Sequence, residues 1–345
     1  MEEFRAEVRD WLAENLVGDY AALKGLGGPG REHEAFEERL AWNRHLAAAG
    51  LTCLGWPVEH GGRGLSVAHR VAFYEEYAKA DAPDKVNHLG EELVGPTLIA
   101  YGTEAQQQRF LPAIRDVTEL WCQGYSEPGA GSDLANVSTS AVLDGGAGAS
   151  EATGNRHWVI NGPKQFIPNS GTDTTKLVTV TAVTGTVGDR REISAILIPV
   201  PTAGFVAEPA YNKVGWNASD THPLSFTDVR VPEENLLGER GRGYANFLQI
   251  LDEGRIAIAA LAVGAAQGCV DECVKYAGER SAFGQPIGRY QAIEFKIARM
   301  EARAHAARTA YYDAAALMLA GKPFKKQAAI AKLIASEAAM DNARD

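Results

Sequence analysis

Hydrophobic residues recur at intervals of three to four in the first third of the chain. The first such run begins at Phe4, and a second extends from about Phe36 to Leu46. Two more lie near residues 71–78 and 95–101. Loops rich in Gly and Pro separate these runs. Helical spacing joined by such loops predicts an α-helical N-terminal region. The spacing is clearest at Phe4, Val8, Trp11 and Leu12.

The hydrophobic period falls to two between about Val142 and Pro232. In the run LVTVTAV, Val178 and Val180 alternate with threonines, and Gly, Pro and Asn residues interrupt the neighbouring β-rich runs. Alternation of this kind predicts half-buried strands. No helix-length apolar run separates them, which favours antiparallel hairpins over parallel crossovers. We expect a β-domain in the middle of the chain.

The helical period returns in the last third. An Ala- and Gly-rich run, Ile256 to Gly268, suits a helix that is approached closely by its neighbours. The resulting fold class is α+β multidomain: a helical domain at 1–120, a β-domain at 121–232 and a helical bundle at 233–345. A second long helix is predicted from apolar positions three and four apart, at Ile293, Ile297, Met300, Ala304, Ala307 and Tyr311.

Composition narrows the class of protein further. The 345 residues are 46% hydrophobic and 23% charged, which is typical of a folded soluble chain and argues against disorder. A net charge of −10 without a basic patch argues against a nucleic-acid partner. The apolar runs fall short of the roughly 18 residues that span a bilayer, and the N-terminus is charged, so we expect a cytoplasmic protein with no membrane span. Four scattered cysteines, at 53, 122, 269 and 273, predict buried free thiols rather than a disulfide framework or a zinc site.

Two apparent motifs do not fit the chemistry that they suggest. Gly25–Gly30 matches the dinucleotide pattern G-x-G-x-x-G, but a helix precedes it and a proline interrupts it, so we interpret it as a loop. Ser126 lies near the spacing of a hydrolase nucleophile elbow, yet the second glycine is displaced by one residue. Acyl-enzyme chemistry at Ser126 is therefore not expected.

The most informative segment is YSEPGAGSDLANVSTSA, Tyr125 to Ala141. Its Pro/Gly turn exposes successive backbone N–H groups near Ser126, Ser132 and Asp133, and such a concave arrangement suits a phosphate or the polar edge of a ring. The alternative is an ordinary loop that crosses between domains. Composition alone does not decide between the two.

Several motifs, taken in order, resemble the acyl-CoA dehydrogenase family. The run from Ser126 to Asp133 is similar to the signature [ST]-E-P-x-A-G-S-D, and WVINGPKQFIPN at 158–169 resembles "INGxKxWITN". The segment 215–231 resembles "GxxxSDT…F.DVxVP", and ERSAFGQPIGRYQ at 279–291 resembles "ERxxFGxxxxxxQ". The likeness covers nearly the whole chain, in the same α, β, α order.

This resemblance implies a helical N-terminal domain, a middle β-barrel and a C-terminal helical bundle that hold FAD in an extended conformation. Backbone groups around Tyr125 and Ser126 would bind the flavin pyrimidine edge, and Ser132 would reach the pyrophosphate, with Gly131 beside it also assigned to FAD. Three residues of the third domain would contact the FAD of a neighbouring subunit, which implies a homodimer or homotetramer. Those three residues are Arg280, Phe283 and Gln291. Phe166, Ile167 and Pro168 would lie at the flavin ring.

The family reaction introduces a C2=C3 double bond into an acyl-CoA thioester. A carboxylate removes the α-proton while a hydride leaves the β-carbon for flavin N5, and hydrogen-bond donors stabilise the charge on the thioester carbonyl. An electron-transferring flavoprotein or a similar acceptor normally reoxidises the flavin. The resemblance therefore implies two partners, an acyl-CoA and an electron-accepting protein.

The sequence departs from the family pattern near the flavin. Pro168 stands where Ser or Thr is usual, and it offers neither a hydroxyl nor an N–H to flavin N5. Loss of one donor in a dry site costs on the order of 1–3 kcal/mol.

The larger departure concerns the catalytic base. Most members carry a glutamate after a helix that corresponds to the last residues printed here, so the expected base lies beyond Asp345 and the sequence is expected to be incomplete. A minority carry it immediately before the arginine that corresponds to Arg255, where this chain has Gly254. Glu253 is a weak candidate because one residue of slip turns a side chain by about 100° around a helix. Arg255 itself is either an active-site residue or an ordinary ion-pairing residue.

Three explanations of the missing base remain open. The sequence is part of a longer enzyme, or it is a subunit without a base that supports a catalytic partner in a hetero-oligomer. The third is a flavin oxidase or monooxygenase of the same fold. All three retain FAD.

Overall fold

The computed structural model describes residues 1–27, 31, 33–144, 156–213 and 220–345, without the side chains of residues 249, 250 and 253. The chain forms two compact units, Met1–Asn246 and Phe247–Asp345. Two of the sequence interpretations fall partly outside the described residues. These are the glycine loop Gly25–Gly30, at residues 28–30, and the motif at 215–231, at residues 215–219.

The first unit opens with helices whose apolar stripes face a shared core. Helix α1 places Glu2 and Glu3 in its first turn, where carboxylates suit the helix dipole. Helix α5 begins at a capping box formed by Thr103 and Gln106, a signal that the hydrophobic pattern alone does not reveal. The helices are α1 Glu2–Asn15, α2 Phe36–Ala48, α3 Val67–Lys79, α4 Gly95–Tyr101 and α5 Glu104–Arg115.

A buried ion pair lies beneath these helices. Lys85 is 6% exposed, and its Nζ donates to Oε2 of Glu91 at 2.7 Å. Glu91 belongs to a π-helical turn, Gly90–Val94. Burial of a lysine requires such a partner, because an unpaired ammonium loses its hydration.

An eight-stranded sheet follows the helices. Its strands are β1 Leu120–Gly124, β2 Ser140–Leu143, β3 His157–Pro168, β4 Thr175–Val187, β5 Arg190–Pro199, β6 Phe205–Ala207, β7 Thr221–Pro232 and β8 Leu236–Leu237. The order is β6-β7-β3-β2-β4-β5-β8, with β1 beside β4. Most pairs are antiparallel, as the lack of a helix-length run between the strands predicts, but β1 and β2 both run parallel to β4. Sequence alternation carries no information on strand direction, so the parallel pairs were not foreseen.

Close contact between β3 and the segment that enters β2 depends on a glycine. Gly162 has φ +144°, and a Cβ there would lie 2.6–2.9 Å from Oγ1, Cα and Cβ of Thr139. Only a residue without a side chain permits this approach. Thr139 then donates its hydroxyl to the carbonyl of Pro163 at 3.1 Å, which fixes β3 to this segment.

Helix α6, Gly243–Glu279, contains the boundary between the units, and the second unit continues with α7 Gln291–Leu319 and α8 Lys325–Arg344. Its core is lined largely by alanines, which let the helices approach closely. The segment Gly254–Glu279 is long and apolar enough to cross a membrane by length and composition, although the sequence analysis expected no such run. Its positions Ala259 and Val263 are buried in the alanine core, as in a bundle helix.

The cysteines are free thiols, and Cys53 and Cys122 are buried as predicted. Cys269 and Cys273 are only half-buried, which differs from the prediction. Within the described ranges, no group of three His, Cys, Asp or Glu residues is placed to hold a metal ion.

Candidate flavin site

A tight turn follows strand β1 and forms the first part of the candidate site. The backbone N–H of Glu127 donates to the carbonyl of Ala130 at 2.9 Å, and the N–H of Ala130 donates back at 3.0 Å. Pro128 and Gly129 lie at the exposed tip. A Cβ at Gly129 or Gly131 would meet nothing within 4 Å. The turn therefore presents open backbone to a ligand.

The carboxylate of Glu127 fixes this turn from below. It is buried, and it accepts hydrogen bonds from the backbone N–H and hydroxyl of Ser138, both at 2.6 Å, and from the N–H of Thr139 at 3.0 Å. Burial alone raises the pKa of Glu127, but hydrogen bonds from Lys164, Ser138 and Thr139 outweigh burial and lower this pKa to about 2. Glu127 is therefore ionised at neutral pH.

Lys164 of β3 completes the arrangement. Its side chain is 0% exposed, and Nζ donates to Oε1 of Glu127 at 2.7 Å and to the carbonyls of Tyr125 at 3.1 Å and Thr181 at 2.8 Å. Burial lowers the pKa of Lys164 to about 8, so the ammonium still carries its charge at pH 7. One side chain thus joins β3, β4 and the residue that precedes Ser126.

The exposed aromatic ring of Phe166 forms the second part of the site. The register between β3 and β7 shifts between Lys164 and Ile167, and this bulge places Phe166 at φ +60°. Its ring is 58% exposed and lies 5.0 Å from that of Tyr211, centroid to centroid. A phenylalanine held on the surface in a left-handed conformation is typical of a ligand platform.

The structure brings the turn and the platform together. The N–H of Gln165 donates to the carbonyl of Ser126 at 2.9 Å, and its side-chain amide donates to the carbonyl of Glu127 at 3.0 Å. Ile167 turns inward and is 2% exposed, whereas Pro168 is exposed. Ile167 therefore belongs to the hydrophobic core of the sheet and supports the exposed positions on either side of it.

The residues present fit a flavin. An exposed ring next to a loop with open glycines offers an apolar face and adjacent backbone donors, which suit the face and the polar edge of an isoalloxazine. The half-buried Ser126 and the exposed Ser132 form no side-chain hydrogen bond to the part of the chain that the structure describes, so both hydroxyls are free to bind a ligand. Burial raises the pKa of Tyr125, so its phenol stays neutral.

The predicted contacts to a neighbouring subunit lie in the second unit. Strands β9 Ser281–Ala282 and β10 Gln285–Pro286 form a hairpin whose turn, Phe283-Gly284, has φ values of +53° and +82°. These values define the turn type that suits a two-residue hairpin. Phe283 is 97% exposed at the tip, and Arg280 and Gln291 are exposed beside the hairpin. At this position the ring is accessible to a second molecule.

The positions considered for the base lie on α6. A Cβ at Gly254 would meet nothing within 4 Å, so the helix has space for a longer side chain there. Arg255 forms an ion pair with Asp252 one turn earlier, which is the ordinary ion-pairing role that the sequence analysis left open. Glu253 lies on the helix, but its side chain is outside the described residues.

Sequence reasoning did not identify Lys164, Ser138 or Thr139 as parts of this site. The available signal was a lysine between apolar residues of the β-rich run at 158–168, since a lysine that is buried needs a carboxylate. Nothing in the spacing showed that this carboxylate is Glu127, 37 residues away.

Comparison with known proteins identifies the family. Three family models match the chain in order. They are the acyl-CoA dehydrogenase N-terminal domain at residues 1–117, the middle domain at 122–229 and the C-terminal domain at 241–345. The chain therefore belongs to the acyl-CoA dehydrogenase family, whose members are flavoprotein oxidoreductases that act on CH–CH bonds and use FAD. The family resemblance drawn from the sequence is confirmed, and so is the α, β, α fold class.

Two relatives illustrate the range of the family. The acyl-CoA dehydrogenase IpdE1 of Mycolicibacterium smegmatis is 58% identical over 283 residues, which are 81% of this chain and 68% of that protein. The mitochondrial short-chain specific acyl-CoA dehydrogenase of Mus musculus is 37% identical over 336 residues, or 97% of this chain and 76% of that protein.

Solved structures agree with the fold. An acyl-CoA dehydrogenase from Geobacillus kaustophilus has a TM-score of 0.81 at 28% identity, over 99% of this chain and 85% of that one. An acyl-CoA dehydrogenase from Bacillus anthracis in complex with FAD has a TM-score of 0.73 at 27% identity, over 99% and 55%. A chain of the ChsE4-ChsE5 complex from Mycobacterium tuberculosis has a TM-score of 0.78 at 29% identity, over 97% and 80%.

Proposed function

We propose that the protein acts in the FAD-dependent dehydrogenation of an acyl-CoA thioester, which introduces a C2=C3 double bond. The observation that carries the proposal is the exposed Phe166 platform beside the open turn at 125–132. The flavin edge and the pyrophosphate are assigned to the turn, at Tyr125, Ser126, Gly131 and Ser132. The face of the flavin ring is assigned to Phe166, with Ile167 behind it and Pro168 beside it.

The proposed reaction separates a proton from a hydride. FAD supplies the acceptor for the hydride that leaves the β-carbon of the substrate. The thioester makes the α-position only weakly acidic, so removal of the α-proton needs a general base close to it. We propose a carboxylate for this role. Gly254 carries no carboxylate at the family's alternative position for this base.

Other groups of the chain are assigned to assembly. Arg280, Phe283 and Gln291 are proposed to contact the FAD of a second copy, because Phe283 stands exposed at the tip of the β9–β10 hairpin, beside Arg280 and Gln291. The assembly is then a homodimer or homotetramer. An electron-transferring flavoprotein or a similar acceptor is proposed to reoxidise the flavin, in the cytoplasm.

The test is reconstitution with FAD followed by anaerobic addition of a panel of acyl-CoAs. Bound FAD should be present at one per chain, and a substrate should bleach its long-wavelength absorption band. A purified protein that takes up no FAD would refute the proposal. A Gly254→Glu variant extends the test, because it places a carboxylate at the family's alternative position.

A second candidate function is that of a supporting subunit in a hetero-oligomer. It is favoured by the glycine at position 254 and by the absence of a hydroxyl at Pro168, and a structural relative is one chain of a two-protein complex. In this case the chain binds FAD at shared sites and the partner supplies the base. Bleaching of the flavin by an acyl-CoA in the purified single protein would exclude this candidate.

A further inference from the structure

The buried ammonium of Lys164 has an acceptor for each of its three protons, and the hydroxyl oxygen of Thr181 lies 3.4 Å away as a fourth. Its three N–H bonds point to Glu127, to the carbonyl of Tyr125 and to the carbonyl of Thr181, at 2.7, 3.1 and 2.8 Å. These acceptors lie on two segments, the turn at 125–127 and β4, and Lys164 itself belongs to a third, β3. Movement of the turn relative to the sheet therefore breaks a charge-assisted hydrogen bond in a place that water does not reach.

Glu127 extends the same connection to a fourth segment. Its second carboxylate oxygen accepts both the N–H and the hydroxyl of Ser138. The pair thus links the turn to β3, to β4 and to the chain that enters β2. Every polar atom of the pair has a partner, so the network specifies one arrangement of these segments.

The pair lies directly behind the exposed site. Lys164 precedes Phe166 by two residues, and Tyr125, whose carbonyl it binds, precedes Ser126. The two segments also meet through the N–H of Gln165 and the carbonyl of Ser126 at 2.9 Å. Replacement of a buried ion pair by apolar residues is often neutral or stabilising, so stability alone is a weak reason for the pair. Fixed geometry at the exposed surface is the stronger reason.

We propose that Lys164 is a positioning residue for FAD, which holds Tyr125 and Ser126 in register with Phe166 without touching the cofactor. With its side chain 0% exposed, Lys164 acts only through the residues that it binds. The proposal rests on the proposed flavin site and adds to it the group that sets the geometry of that site. Ligand affinity depends on such pre-organisation as well as on direct contacts.

The test compares two buried lysines. Lys164→Met removes the ammonium behind the site, and Lys85→Met removes the equivalent ammonium of the pair with Glu91, which has the same Nζ–Oε distance of 2.7 Å. Both leave a buried carboxylate unpaired, so both should lower the melting temperature of the apoprotein. The dissociation constant for FAD and the shape of the bound flavin spectrum are then measured for each.

Lys164→Met is expected to weaken FAD binding by about tenfold or more, the scale of lost positioning, and to alter the flavin spectrum. Lys85→Met should stay within about twofold of wild type, because the hydrogen-bond partners of Lys85, Tyr74 and Glu91, are not among the residues assigned to FAD. Equal effects of the two changes on FAD binding would overturn the proposal. Failure of the wild type to bind FAD would refute the flavin site itself, which is a separate result.

A double variant separates position from stability. Lys164→Met with Glu127→Gln removes both charges, so no uncompensated carboxylate remains and the melting temperature should recover relative to the single variant. FAD binding should stay weak, because no ammonium binds the carbonyl of Tyr125. Recovery of both properties would show that Lys164 only stabilises the fold, and would refute the proposal. If Lys164→Met alone does not fold, this double variant provides the comparison with Lys85→Met.

Discussion

Substitution of Gly162 by alanine tests whether the close approach of β3 to Thr139 is required. The added Cβ lies within 2.9 Å of three atoms of Thr139, one of them the backbone Cα, where carbon contacts normally need about 3.5–4.0 Å. A side-chain rotation of Thr139 cannot move its Cα. The strand and the segment entering β2 must therefore separate.

The magnitude follows from two costs and one gain. Overpacking costs about 1–3 kcal/mol, and a non-glycine residue at φ +144° costs about 1–3 kcal/mol more. Alanine also restricts the unfolded chain more than glycine does, which stabilises the folded protein by about 0.4–1 kcal/mol. The free energy of unfolding should fall by about 3 kcal/mol, or about 6–12 °C in melting temperature at the scale of 2–4 °C per kcal/mol.

Gly188→Ala is the matched control. Gly188 has φ +59° and nothing within 4 Å of its Cβ position, so alanine there incurs backbone strain alone, about 1 kcal/mol. Differential scanning fluorimetry of both apoproteins measures the contrast. Because Thr139 binds Glu127, only Gly162→Ala should also weaken FAD binding. Equal melting temperatures for the two variants would refute the reasoning.

Further predictions concern chemistry and pH. Pro168→Thr restores a hydroxyl and should speed anaerobic flavin reduction by about tenfold, as followed by stopped-flow absorbance, whereas Pro168→Ala, which restores only the N–H, should change it less. Gly254→Glu should raise the rate at which an acyl-CoA bleaches the flavin relative to wild type, because it adds a carboxylate at the family's alternative position for the base. Because the pKa of Glu127 falls from 4.5 to about 2 on folding, it contributes about 3 kcal/mol of stability above pH 4.5, which is lost as pH falls toward 2. Urea unfolding of wild type and Glu127→Gln should therefore differ most near neutral pH and converge in acid. Phe283→Ala should lower FAD affinity while the melting temperature of the apoprotein changes little, because an exposed side chain adds little to the fold; titration with FAD measures this.

The helices and strands of this protein were largely predictable, since their apolar faces repeat with a clear period. Helix α5 was not predicted, because its start depends on the reciprocal hydrogen bonds of Thr103 and Gln106 rather than on hydrophobicity. The parallel direction of β1 was also hidden, since alternation is the same for both directions. Direction depends on long-range pairing that local sequence does not encode.

The candidate site was predictable only in its exposed half. The turn at 125–132 and Phe166 carry motif residues, and the structure places the two segments in contact. The buried half, Glu127 with Lys164, was not identified because the partners are 37 residues apart. Charged residues far apart in sequence can be paired only when the register of the strands is known.

Reconstitution of the apoprotein with FAD tests the central claim most directly, with wild type, Phe166→Ala and Val142→Ala compared. Val142 is a second exposed apolar side chain of the same sheet, 64% exposed, and it lies outside the assigned site. Wild type and Val142→Ala should bind one FAD per chain with equal affinity, and Phe166→Ala should bind it several-fold more weakly, since ring contacts contribute about 0.5–1.5 kcal/mol beyond burial. A wild type that binds no FAD, or equal affinity in all three proteins, would contradict the account.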